Sequence, residues 1–155
     1  MTSAEFIAKT YDTTSDRERR CSSVFTDYSG TVYSYGYHYP LAFKVAGLDF
    51  VNTAGYSSTT SKHICWARGI VPNQLHVKLW RDESQVISAS YSTPEQKLES
   101  IKVALERELA SVQKQMGTKT RHETQVYRAL VNEEDTICST LNKVYGEQLT
   151  LKRGW

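Results

Sequence analysis

Cysteine is scarce and odd in number: Cys21, Cys65 and Cys138 in 155 residues. Their wide separation gives neither a CxxC pair nor an even set to bridge. That excludes a disulfide framework and a cysteine-built metal site, and fits three reduced thiols in a cytosolic protein. Long apolar runs are missing too. The opening MTSAEFIAKTYDTTSDRERR holds no signal-peptide core and no stretch is long enough to span a bilayer, so a soluble cytoplasmic chain with no membrane contact is expected. A net charge of +2 is small for a committed nucleic-acid binder. Catalytic signatures are absent as well: no GxSxG, no GxxxxGK[ST], no paired carboxylates, and His38, His63, His76 and His122 without HxH or HxxxH spacing. The expectation is a protein with no catalytic residue, no metal and no cofactor.

What is present is unevenly distributed. Eleven of the seventeen aromatic residues lie between Cys21 and Arg81, where five Lys and Arg face two Asp. The middle of the chain is therefore aromatic and mildly basic, and the C-terminal part is rich in Glu, Lys and Leu. Three regions follow: a polar N-terminal segment over 1–20 with a short helix near Ala4 to Lys9, a tyrosine-rich β region over 21–92 with a helix near 58–69, and a helical hairpin over 93–147. At this length all three fit one compact domain.

Strand signals begin at Cys21. CSSVFT and TVYSYG flank the turn DYSG, with Gly30 at a position that tolerates positive φ, and YPLAFKV and LDFVNT flank Ala46-Gly47. Loops this short join antiparallel strands, so a meander of about four strands is predicted. LHVKLWR alternates with period two, and QVISASY is expected to pair with it across DES as a second hairpin. From residue 93 the period changes. Thr93, Pro94 and Gln96 form a capping box with proline at the first helical position. Leu98, Ile101, Leu105, Leu109, Val112 and Met116 share one face up to Gly117. Thr120 to Glu123 reads as a second capping box ahead of Val126, Leu130, Ile137, Leu141 and Val144, with Gly146 as the stop. Two such helices with a short link fold back as an antiparallel hairpin, and the apolar residues on a second side of the latter offer a route to a homodimer. The fold class is α+β: an antiparallel β meander with one short helix, then an antiparallel two-helix hairpin.

Two stretches draw attention as sites. GYSSTTSKHICWARG carries more hydroxyls than one helix cap needs, followed by Lys62 and His63, so it reads either as ordinary capping or as an anion site at a helix N-terminus. Cys65, two residues from His63, points another way on a helix, so a Cys–His nucleophile is poorly supported. In YSYGYHYP an extended chain would align Tyr33, Tyr35, Tyr37 and Tyr39 on one face for base stacking or partner binding. Gly36 and Pro40 argue for a bend instead, with the rings covering the core.

VYSYGYHYPLA followed by VNTAGYSSTTSKH resembles a small domain found in many short proteins of tailed bacteriophages, with a tyrosine-rich hairpin and a YSxTTSxH helix start. The likeness covers about residues 24–68. It implies phage origin and expression in the cytoplasm of a bacterial host, and that Tyr56, Thr59, Thr60, Ser61 and His63 act as a unit. The family brings no activity with it. The expected function is accordingly a non-enzymatic phage accessory protein that binds a host or phage protein and inhibits a host defence system. The alternative is a nucleic-acid binder using Tyr33, Tyr35, Tyr37, Lys62, His63 and Arg68.

Overall fold

The computed structural model describes residues 1–55, 58–119, 121 and 124–146. The chain forms two compact units, residues 1–101 and 102–155. In the first, helix α1 (Ser3–Thr10) is started by Thr2, whose Oγ1 accepts the Glu5 N–H at 3.1 Å, and it buries Phe6 and Ile7. The N-terminal segment thus supplies core residues as well as a polar connection.

An antiparallel meander forms as predicted, with five strands where about four were expected: β1 (Arg19–Cys21), β2 (Val24–Thr26), β3 (Val32–Ser34), β4 (Pro40–Val45) and β5 (Leu48–Asn52). CSSVFT is not one strand, because the chain reverses at Ser22, φ +58°, and pairs back on Arg19 and Arg20, which were expected in the polar connection. Local chemistry sets the turns. In DYSG the Asp27 carboxylate accepts the N–H groups of Ser29 and Thr31, and Gly30 sits at φ +95°. Between β4 and β5, Ala46 and Gly47 both have positive φ, +51° and +78°, as a two-residue hairpin turn matched to strand twist requires.

Register assigns the side chains. Val24, Val32, Ala42 and Val51 line one face with Phe6, Ile7 and, from helix α2 (Ser58–Ile70), Ile64 and Ala67. The opposite face carries rings: Phe25 stacks on Tyr33 at 5.2 Å and Phe43 on Phe50 at 5.5 Å, and all four are buried. Burial of each is worth about 2–3 kcal/mol against exposure, so the sheet is cemented on both sides.

The expected second hairpin is not formed. Strand β6 (Leu75–Val77) lies beside β5 and parallel to it, because the thirteen residues of α2 form the crossover that a parallel return needs. The residues meant to pair with it enter helix α3 (Arg81–Ser88) instead. DES cannot be a tight turn, because the Glu83 carboxylate accepts the Trp80 N–H at 3.0 Å and starts the helix. Ser84 and Ile87, three apart, then turn inward.

Helix α4 (Pro94–Gly117) opens as predicted: Thr93 Oγ1 accepts the Gln96 N–H at 3.2 Å and Gln96 Oε1 accepts the Thr93 N–H at 2.9 Å. Helix α5 (Gln125–Tyr145) starts one residue after Thr124, whose hydroxyl accepts the Tyr127 N–H, and stops at Gly146 with φ +91°. The capping box read over Thr120 to Glu123 lies outside the described residues. Within the second unit the Lys102 ammonium sits 5.9 Å from the Tyr145 ring, and Gln113 donates to Glu134 at 3.1 Å. One helix ascends as the other descends, so the two form the antiparallel hairpin. No helix among the described residues is long and apolar enough to cross a membrane.

Candidate binding surface

The tyrosine run bends. After Ser34 the chain takes a left-handed residue at Tyr35, φ +68°, and the Tyr39 N–H closes the reversal on Gly36 O at 3.1 Å. A Cβ on Gly36 would come within 2.7 Å of the exposed His38 ring, which would have to swing aside. The bend distributes the four tyrosines instead of aligning them. Tyr33 is 1% exposed, and its hydroxyl donates to Asp27; burial, then the Asp27 charge, raises its pKa well above the usual range. Tyr39 is buried, donates to Ala54 O at 2.6 Å, and is likewise raised by burial. Tyr37 is exposed but packs edge-on against Phe25 and Tyr33. Tyr35 turns its ring toward His63 of α2.

There it meets a polar cluster that accounts for part of the hydroxyl excess. His63 is 2% exposed, with Nδ1 2.7 Å from Ser34 Oγ and Nε2 3.2 Å from Ser23 Oγ; Ser34 Oγ also lies 3.3 Å from Thr60 Oγ1. Thr60 and His63 are three apart on α2 and so share its inner side. Burial lowers the His63 pKa, which keeps the ring neutral at pH 7, with one nitrogen donating and the other accepting. The helix is thereby bonded to β3 and to the residue just before β2. A serine beside a histidine invites comparison with a nucleophile pair. Here both nitrogens are held by hydroxyls, Ser34 is 1% exposed, and among the described residues no acidic side chain bonds the imidazole. No group of three His, Cys, Asp or Glu among the described residues could hold a metal.

The outer edge of this cluster is a surface. The His63 ring lies 6.0 Å from Tyr35 and 5.6 Å from Trp66, which are 46% and 36% exposed. At about 100° per residue, exposed Thr59 and Lys62 fall on the same flank of α2 as Trp66. Ser61 and Arg68 do not: Arg68 stands about 160° around the helix from Trp66, beside His76, whose pKa is lowered by burial and then by the Arg68 charge. Cys65 is exposed and apart from His63 in direction. Tyr56 lies outside the described residues.

Tyr35, Lys62 and His63 stand out in the sequence, whereas Ser23, Ser34 and Trp66 were not among the expected site residues. Trp66 was legible there, three residues after His63 on the same helix. Ser23 and Ser34 were not, because only strand register brings them to the imidazole. No family model matches the chain, and neither a curated protein nor a solved structure does.

Proposed function

We propose that this chain is a non-enzymatic accessory protein of a tailed bacteriophage, acting in the host cytoplasm by binding a host or phage protein and thereby inhibiting a host defence system. The observation that carries the reading is the aromatic edge of Tyr35 and Trp66 against an immobilised His63, with exposed Lys62 alongside. Aromatic rings fixed before binding lose little rotamer entropy on association and are enriched at interface hot spots. Supporting the absence of catalysis, the Ser–His pair beneath is sealed and built of hydroxyls.

The test is an affinity measurement. The immobilised protein should retain one partner from host or phage proteins, and Tyr35→Ala and Trp66→Ala should each weaken that complex about thirtyfold, the worth of roughly 2 kcal/mol. Tyr91→Ala, also highly exposed, should leave it unchanged. Equal loss with all three variants would refute a specific face. Lys62 beside Trp66 also supports a second reading, nucleic-acid binding, which would show as strand retention falling steeply with salt. Against it, Arg68 lies off this flank. Val103 and Val126, exposed on the helical hairpin, support self-association, which light scattering reads.

A further inference from the structure

The carboxyl ends of β5 and β6 open onto a cavity of about 500 Å³ that shares no residue with the aromatic edge. Crevices form there because parallel strands hand over to helices whose connections diverge. Gly55 follows β5, Trp80 and Arg81 follow β6, Ser84 comes from the first turns of α3, and His38 and Tyr39 come from the tyrosine bend. The volume lies within the range of about 300–1,000 Å³ of small-molecule pockets.

The lining has a definite chemistry. Trp80 is 64% exposed, an uncommon state for so large an apolar ring in a chain that buries its phenylalanines. Arg81 is exposed beside it and makes no ion pair among the described residues. A Cβ on Gly55 would meet nothing within 4 Å, so the wall opposite is open backbone. Behind the strand ends stands Asn52, fully buried, whose Oδ1 accepts the N–H groups of Ala54 at 3.1 Å and Leu79 at 3.2 Å. It clamps the two connections that frame the cavity, and its Nδ2 is a buried donor with no acceptor among the described residues. Such a group costs about 1–3 kcal/mol, which a fold tolerates where another requirement outweighs it.

We propose that this cavity binds a planar anionic small molecule with the chemistry of a nucleoside monophosphate, its base stacked on Trp80 and its phosphate held by Arg81. A flat indole face selects a π-system without selecting its hydrogen-bond pattern. The guanidinium fork matches two phosphate oxygens at once. The site is separate from the protein-binding face, so either can fail without the other.

The experiment is isothermal titration of the full chain with AMP, GMP, CMP and UMP, alongside adenosine and inorganic phosphate. Saturable binding of at least one nucleotide at one site per chain is expected. Trp80→Ala and Arg81→Ala should each weaken it at least tenfold, Tyr35→Ala should not, and adenosine and phosphate should each bind at least tenfold more weakly than the nucleotide. Circular dichroism confirms that the variants fold, since both side chains are exposed. Absence of saturable binding by all four nucleotides, phosphate binding as tightly as the nucleotide, or affinity indifferent to both substitutions would overturn the proposal.

Discussion

Replacing His63 tests the central packing claim, that α2 is fastened to the sheet through hydroxyls. His63→Ala deletes two hydrogen bonds, to Ser34 and Ser23, and leaves a void beneath Tyr35 and Trp66. Ser34 retains Thr60, and half-buried Ser23 can take water. The full penalty for orphaned groups is therefore not incurred. Two net bonds of about 1 kcal/mol each, with partial collapse of the void, give a loss of about 2–4 kcal/mol. For a chain of this size that lowers the melting temperature by about 5–15 °C. Ser34→Ala alone should cost about 1–2 kcal/mol. The pair should couple by about 1–2 kcal/mol in a double-mutant cycle, read by urea unfolding with circular dichroism. Additivity within about 0.5 kcal/mol would mean that serine and imidazole do not bond one another, and the account of the cluster would fall.

Burial lowers the pKa of His63 and His76 in the folded protein, so below about pH 6.5 the unfolded chain binds protons that the folded one resists. Stability should be flat with respect to these groups above that pH and fall as pH drops toward the folded pKa values, by at most about 1.4 kcal/mol per pH unit for each histidine; His63→Phe should remove its share of the slope in urea midpoints taken from pH 7 to 5. Gly30 and Gly47 separate backbone strain from steric conflict. Both have positive φ, but a Cβ on Gly30 would lie 2.4 Å from Thr13 N whereas one on Gly47 meets nothing. Gly47→Ala should cost about 1 kcal/mol and Gly30→Ala at least twice that by thermal melting, and equal costs would refute the contact.

Local rules wrote much of this fold into the chain. A cap needs only its own first turn and a hairpin turn needs only two residues with the right φ. Thr93 with Gln96, Asp27 to Gly30, Ala46-Gly47 and Gly146 could therefore be read directly, and the meander and the two long helices with them. The strand misread over 85–91 has a physical cause. QVIS is too short for its period to distinguish helix from strand, and the helix is started by Glu83 reaching back to a tryptophan N–H, without a serine or threonine cap to announce it. Composition likewise carried the aromatic, mildly basic character of the middle and the want of catalytic motifs.

The tertiary structure alone decided which of those residues meet. Ser34 and His63 are 29 positions apart and Ser23 and His63 are 40 apart; their contact depends on the register of β2 and β3 and on where α2 crosses the sheet. The same is true of the tyrosines. Period two would have lined up four rings, but the left-handed turn at Tyr35 sends Tyr33 and Tyr39 inward and leaves Tyr35 at the edge beside Trp66. The cavity at the ends of β5 and β6 exists because a crossover helix made those strands parallel, a long-range arrangement that no local pattern in the chain encodes.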